Sequence, residues 1–333
     1  MGTVSVGQLA FKTNTGFVLF DTLNQASDVT GITLPALQKV GLDIQALRRI
    51  VLTHGHGDHD GGVPYLQSTY GTPVHIGAAD YSSSKTYVAD LLDTSSQSPF
   101  TLTLDGVPIT AMSTPGHTPG TYSFILPVTQ KGVAHKAVYY GGGAHPTNPA
   151  ALSQYLRSTE ALYDLILETG ADISVGSHSF FDGSDARMDE VDAIGGYDKQ
   201  PNNPMIQGTD QVALSFAILR ECTAALLGRA DPAAKSASWL PTQTEFYAAV
   251  RRGSGAVSVA ARVSNAYSVV QGGKVTFSVA NGVASCEATT DAAGVATCDL
   301  PNVGAATSLK ASFQRLSSTT EVNLASSAST ELK

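Results

Sequence analysis

Little in this chain is charged, and less of it carries sulfur. Of 333 residues only 14% are Asp, Glu, Lys or Arg, and there are 3 cysteines, 4 methionines and 1 tryptophan. Three cysteines cannot staple a disulfide-built scaffold, so the fold must rest on a hydrophobic core, for which 42% apolar residues suffice. The same balance of low charge and ordinary hydrophobicity excludes disorder as the default state. Basic residues are scarce: 20 Lys and Arg face 28 Asp and Glu, and the pairs Arg48-Arg49 and Arg251-Arg252 stand alone. Nothing is dense enough to follow a phosphate backbone, which argues against nucleic acid as a partner. No run approaches the roughly 20 apolar residues that cross a bilayer, so no membrane span is expected. The start, Met1 to Val6, has neither the basic nor the long apolar region of an export signal, and its alternation is strand-like.

What is present is a concentration of imidazole. Thr53-His54-Gly55-His56-Gly57-Asp58-His59 follows the apolar run Arg49-Ile50-Val51-Leu52 and places three imidazoles and a carboxylate within six residues. Neutral imidazole and ionised carboxylate suit Zn²⁺ and similar cations, and glycines let a short loop turn such groups towards one centre. His54 and His56 can converge on one cation, and Asp58 and His59 can reach a second. His117 lies in the Pro/Gly-punctuated loop Ser113-Thr114-Pro115-Gly116-His117-Thr118-Pro119-Gly120, before the apolar run Tyr122-Ser123-Phe124-Ile125-Leu126. His178 follows Ile173-Ser174-Val175, again where a strand meets a loop.

These motifs resemble the metallo-β-lactamase superfamily, over roughly residues 8–230. Within it the chain looks similar to the third subclass of metallo-β-lactamases, in which five histidines and one aspartate hold two zinc ions. The resemblance implies that His54, His56 and His117 bind one zinc, that Asp58, His59 and His178 bind the other, and that Asp58 also has a catalytic part in holding the nucleophile. It also implies an αββα sandwich, an α/β fold with helices outside two packed sheets and the metals at one edge. Relatives usually carry at least one strand upstream of Phe17-Val18-Leu19-Phe20-Asp21, so the expectation is a chain trimmed at its start, lacking that strand and any export signal. Two departures stand out. The segment Ala137-Val138-Tyr139-Tyr140-Gly141-Gly142-Gly143-Ala144-His145 has neither the further aspartate of many relatives nor a cysteine. It also lacks the serine with which the lactamases it resembles hold a substrate carboxylate. Gly142, Gly143 and His145 are candidates for substrate contact here, the glycines through close backbone approach.

Elsewhere the periodicity alternates between strand and helix as far as about residue 230. Asn148-Pro149 opens a helix whose buried face includes Leu152, Tyr155, Leu156, Leu162, Leu165 and Ile166, and Gly170 stops it. A second long helix is expected over residues 210–227, with Val212, Phe216, Leu219, Cys222 and Leu226 as its packing face. Asp182 and Asp185 are candidates for supporting the His178 loop, with no role at the site the alternative.

From about Gly255 the helical periodicity gives way to short β-branched runs at residues 257–260, 274–279, 296–300, 309–313 and 320–324, separated by turn residues. The run from Cys286 to Cys298 resembles a bacterial immunoglobulin-like repeat. The expected organisation is a hydrolase domain over residues 1–235, a linker over 236–254 and an immunoglobulin-like β-sandwich over 255–333. Cys286 and Cys298 bracket an Asp-x-x-Gly turn and can meet across neighbouring strands as a disulfide. Such a bond, with a module common on exported proteins, points to a secreted or periplasmic protein with surface or extracellular contacts.

Water shared by two zinc ions has its pKa lowered to about 7, which provides a nucleophile without serine or cysteine. The expected activity is zinc-dependent hydrolysis of an amide-type bond in a small-molecule substrate, first a β-lactam. A lactonase or other ester or thioester hydrolase is the alternative within the same fold, and a non-catalytic binding or display protein the alternative outside it.

Overall fold

The computed structural model describes residues 6–196, 203–252, 255–279, 284–301, 303–304 and 308–332. The strand-like alternation read at residues 1–5 lies outside them. Contacts divide the chain into one unit spanning Met1–Ala234 and another spanning Lys235–Lys333.

The first unit has two five-stranded sheets. One contains β1 (Leu9–Lys12), β2 (Phe17–Phe20), β3 (Leu47–Val51), β4 (Val74–Gly77) and β5 (Asp90–Leu92), in that order. The other contains β6 (Phe100–Leu104), β7 (Val107–Ser113), β8 (Tyr122–Gln130), β9 (Val133–Tyr140) and β10 (Ile173–Gly176), ordered β10-β9-β8-β7-β6. The strand expected to be missing upstream of Phe17 is therefore represented by β1, which pairs antiparallel with β2. Helices α1 (Ala26–Asp28), α2 (Leu34–Lys39), α3 (Gly57–Asp60) and α4 (Val63–Tyr70) belong to the first half, and α5 (Pro149–Thr169), α6 (Ser179–Asp182), α7 (Ser184–Ala193) and α8 (Thr209–Ala230) to the second.

The sequence of β2 explains the layering. All four of its residues are buried, which requires cover on both faces. Successive side chains point to opposite sides: Val18 and Phe20 join Leu104, Ile109 and Phe124 between the sheets, while Phe17 and Leu19 pack with Val29, Leu37, Val63 and Leu66 from the helical side. Each such side chain contributes about 1.5–3 kcal/mol by leaving water. α5 is capped as its sequence predicts: Asn148 Oδ1 accepts the Ala151 N–H at 2.8 Å, and Gly170 closes it in the left-handed conformation. α8 is long and apolar enough, by length and composition, to cross a bilayer. In this unit it packs against α5, with Leu227 beside Leu152 and Leu156, and its Arg220, buried, donates to Glu160 Oε1 on α5 at 2.8 and 2.9 Å. Cys222 is exposed, against the expectation that it packs. The buried stripe of α8 runs through Val212, Phe216, Arg220, Thr223 and Leu227, which turns position 222 outward.

The second unit is all-β. The described residues of the stretch expected as a linker, 236–252, hold two strands: Ser238–Leu240 forms β11 and Thr242–Arg251 forms β12, which pairs antiparallel with β13 (Val257–Asn265). Then follow β14 (Lys274–Val279), β15 (Ser285–Thr289), β16 (Val295–Leu300), β17 (Ser308–Phe313), β18 (Leu316–Ser317), β19 (Glu321–Asn323) and β20 (Ser326–Glu331). The sheets are ordered β12-β13-β16, β15-β14-β17-β20 and β11-β19-β18. Alternate residues of β13 and β14, including Val257, Val259, Val275 and Phe277, share one core with Ala311 and Phe313. Cys286 and Cys298 are disulfide-bonded. They lie on β15 and β16, the edge strands of two different sheets, so the bond ties the sheets together rather than two neighbours in one.

Candidate metal centre

β2 and β3 run parallel and end side by side, and the centre is built on their carboxyl ends. Just past β2, Asp21 sits fully buried at φ 60°, a conformation that favours glycine. Its carboxylate holds it there. It accepts the Thr53 backbone N–H at 2.8 Å, the Thr53 hydroxyl at 2.8 Å and His59 Nδ1–H at 2.8 Å. Thr53, just past β3, extends the chain of bonds: its oxygen lies 3.0 Å from His54 Nδ1. Because the hydroxyl proton goes to Asp21, that oxygen accepts from the imidazole. On the other side, His117 Nδ1–H donates to the Ala144 carbonyl at 2.8 Å.

These bonds decide where the ring lone pairs point. With Nδ1 protonated on His54, His59 and His117, their Nε2 atoms carry none of those protons and face a common space. Among the described residues His54 Nε2 is buried without a hydrogen-bond partner, a costly state that a cation relieves. His117 Nε2 approaches His56 Nδ1 to 3.1 Å, and His59 Nε2 approaches His178 Nε2 to 3.1 Å. Asp58 Oδ2 lies 3.5 Å from His59 Nε2 and 3.6 Å from His178 Nε2. Within each of the groups His54/His56/His117 and Asp58/His59/His178, all candidate ligand atoms lie within 4.8 Å of one another. Around a tetrahedral zinc with ligands at 2.0–2.1 Å, donor atoms stand about 3.3 Å apart, so the observed spacings and the nitrogen-rich donor set fit zinc.

Electrostatics agree with that fit. Burial, with His59, His117 and other imidazoles nearby, holds His54 well below its ordinary pKa. Burial also lowers His117, against the raising effect of the Ala144 carbonyl. Both rings are thus kept neutral, as ligands must be. Asp58 is held down to about 2, first by its bond to His59. His59 behaves in the opposite sense: burial works against its charged form, but the Asp21 and Asp58 carboxylates push it up to about 9.

Two further carboxylates fix the loops. Asp80 accepts from Gly55 N–H at 2.8 Å, from the Thr118 hydroxyl at 2.6 Å and from Gly120 N–H at 2.8 Å, clamping the loop that carries His54 to the one that carries His117. Asp60 accepts from Lys85 and Tyr87, and Lys85 also donates to the Gly55 carbonyl at 2.6 Å. Gly142 adopts φ +77°, and a Cβ there would meet His117 Cβ at 2.6 Å, so glycine is what lets the chain pass behind that ring. The Gly142 carbonyl accepts from Tyr140 and Tyr155 at 3.1 and 3.0 Å. Gly143 and His145 line a cavity beside His178. Asp182 accepts from Ser184 N–H at 3.0 Å and the Ser174 hydroxyl at 3.2 Å, joining the helix after His178 to β10, whereas Asp185 is exposed and bonds only to the neighbouring Ala186 N–H. Asp21 and Asp80 escaped the sequence reading as supports of the centre, as did the parts played by Thr53, quoted only within the His-rich run, and Tyr155, read only as a packing residue. The only signal for Asp21 was an acidic residue closing the apolar run before it.

Residues 8–130 match a family described as the metallo-β-lactamase superfamily. Similar solved structures include a subclass B3 metallo-β-lactamase of Bradyrhizobium japonicum, 21% identical with a TM-score of 0.54, covering 69% of this chain and 90% of that one. The native metallo-β-lactamase of Legionella gormanii is 18% identical with a TM-score of 0.56, covering 69% of this chain and 92% of its own. No match is found among curated protein sequences.

Proposed function

Starting from an N-terminal unit with the metallo-β-lactamase fold, we propose that it is a zinc-dependent hydrolase opening an amide-type or ester-type bond, with a β-lactam as the first substrate to test. The observation that carries this reading is the pair of ligand groups, His54/His56/His117 and Asp58/His59/His178, converging from three separate stretches of sequence. Zinc held there would polarise a carbonyl and lower the pKa of water to about 7. The chain's own groups supply the rest. The Asp21–Thr53–His54 bonds and the Ala144 carbonyl fix which nitrogens face the centre. Asp58, ionised at neutral pH, offers an oxygen that can take a proton from the attacking water and return it to the leaving group. A lactone or other ester is the second reading, favoured by residues 141–144, Gly-Gly-Gly-Ala, which offer no hydroxyl to a substrate carboxylate. Export to the periplasm or outside the cell, supported by the Cys286–Cys298 disulfide, completes the proposal.

The test pairs elemental analysis with turnover of nitrocefin, a lactone and a thioester, before and after chelation. About two zinc ions per chain are expected, with activity lost on chelation and restored by zinc. Replacing His117 by Ala should remove zinc and rate together; full zinc content in that variant refutes the assignment. Zinc without turnover of any of these substrates would leave a binding protein.

A further inference from the structure

The cavity beside His178 has a volume of about 290 Å³ and is lined on its apolar side by Tyr140, Phe181, Phe216 and Leu219. Two of its polar neighbours are unexplained by the fold. Among the described residues Ser177, only 1% exposed, has a buried Oγ with no hydrogen-bond partner, and His145 has a buried Nε2 with none, although its ring also interacts with the Leu219 backbone. Buried groups of this kind are rare unless something satisfies them. At the rim stand Phe180 and Phe181, 50% and 53% exposed, their rings 4.3 Å apart and each within 6 Å of the His178 ring at 5.9 and 5.8 Å. Large exposed aromatics beside a metal-ligand candidate mark contact with an apolar partner. Charge narrows the partner further. No lysine or arginine is among the described lining residues, whereas Asp182 is. Its carboxylate is held by Ser174 and Ser184 and lies 3.7 Å from Arg187 Nη2. That pair compensates its own charge, so the described lining offers no free ion to a charged substituent.

We infer that this cavity is the subsite for an uncharged aryl or medium-length alkyl substituent of the substrate's acyl group. The substituent enters over Phe180 and Phe181, and an adjoining amide or ester group bonds to Ser177 Oγ and His145 Nε2. The inference rests on the hydrolase reading for its choice of substrate, but binding can be measured without turnover.

The probe is 4-(trifluoromethyl)phenylacetamide, a neutral arylacetamide, with its Kd read by fluorine NMR on the chain as purified and after incubation with zinc. Leu219→Trp and Ser215→Phe each project bulk into the cavity from α8, and circular dichroism with zinc analysis verifies that both fold. Each should weaken the probe by at least about tenfold, and Ser177→Ala by about threefold to tenfold. The subsite is overturned if the parent chain does not bind the probe, or if either folded α8 variant binds it as tightly as the parent. A chain that holds zinc and hydrolyses substrate but ignores the probe loses the subsite alone. One that binds the probe but never takes up zinc loses the hydrolase reading alone.

Discussion

Asp21→Asn tests the centre where it is most tightly wired. The carboxylate accepts from Thr53 N–H, Thr53 Oγ–H and His59 Nδ1–H, all at 2.8 Å and all out of water. Asparagine has nearly the same shape but only one acceptor oxygen, and its amide nitrogen must face at least one of these donors. A buried donor left facing another donor costs about 1–3 kcal/mol of stability. The effect on metal should be larger at one group than the other. His59 loses its partner directly, while His54 loses it only through Thr53. Removing an orienting partner of a ligating histidine typically costs 10–100-fold in metal affinity, or about 1.4–2.7 kcal/mol. Competition titration with a chromophoric chelator should therefore show the Asp58/His59/His178 group weakened by 10–100-fold and the His54/His56/His117 group by less. If both zinc affinities stay within about twofold of the parent, the hydrogen-bond chain does not orient the ligands and the argument fails.

Protonation gives a second check. Zinc must displace the proton that Asp21 and Asp58 hold on His59 up to about pH 9, so apparent affinity at the second group should rise about tenfold per pH unit from about pH 6.5 and level off near 9; a flat profile would contradict the coupling. For stability under chelation the sign follows from the raised pKa. The contribution of His59 is complete below its unfolded value of 6.5 and disappears as pH rises through about 9, so the urea midpoint should fall across that window and stop falling when zinc is saturating. In the second unit, Cys286 and Cys298 close a loop of sequence separation 12, worth about 3 kcal/mol by chain entropy. Replacing both by serine should lower the unfolding free energy of the unit 235–333 by that amount and leave zinc content untouched; an unchanged unfolding free energy would place the sheet-to-sheet tie elsewhere.

The ligand candidates were legible because the chemistry is local or punctuated. His54, His56, Asp58 and His59 share one short loop, and His117 and His178 each follow a recognisable break from strand to loop. Their supports were not legible, because each depends on pairing that the sequence does not announce. Asp21 meets His59 only because β2 and β3 run parallel and end together. Asp80 meets Gly55 and Gly120 across 25 and 40 positions. β12 was read as a linker for a different reason: as an edge strand it has one buried residue, Thr244, in a run that is otherwise half-buried or exposed, so the hydrophobic alternation that betrays a strand is nearly absent. Cys222 was misplaced because a helix admits more than one apolar stripe, and packing against α5 selected the one through Arg220 and Leu227.

On the proposed reading, charge also orders the substrate. Two dications would face one carboxylate among their ligands, Asp58, and one behind them, Asp21, so the centre remains strongly positive. In the cavity beside His178 the acidic lining residue, Asp182, is paired with Arg187. Polarity therefore falls from the centre to the cavity, whose walls include Phe181, Phe216 and Leu219. An electron-rich carbonyl is drawn towards the histidines while a neutral, apolar tail is accepted behind them. A substrate turned the other way round would lose on both counts: its tail would meet water and metal, and its polar end would meet apolar walls. Orientation of the scissile bond would then follow from the two ends of the site differing in charge, with no need for the serine-bearing loop that residues 141–144 lack.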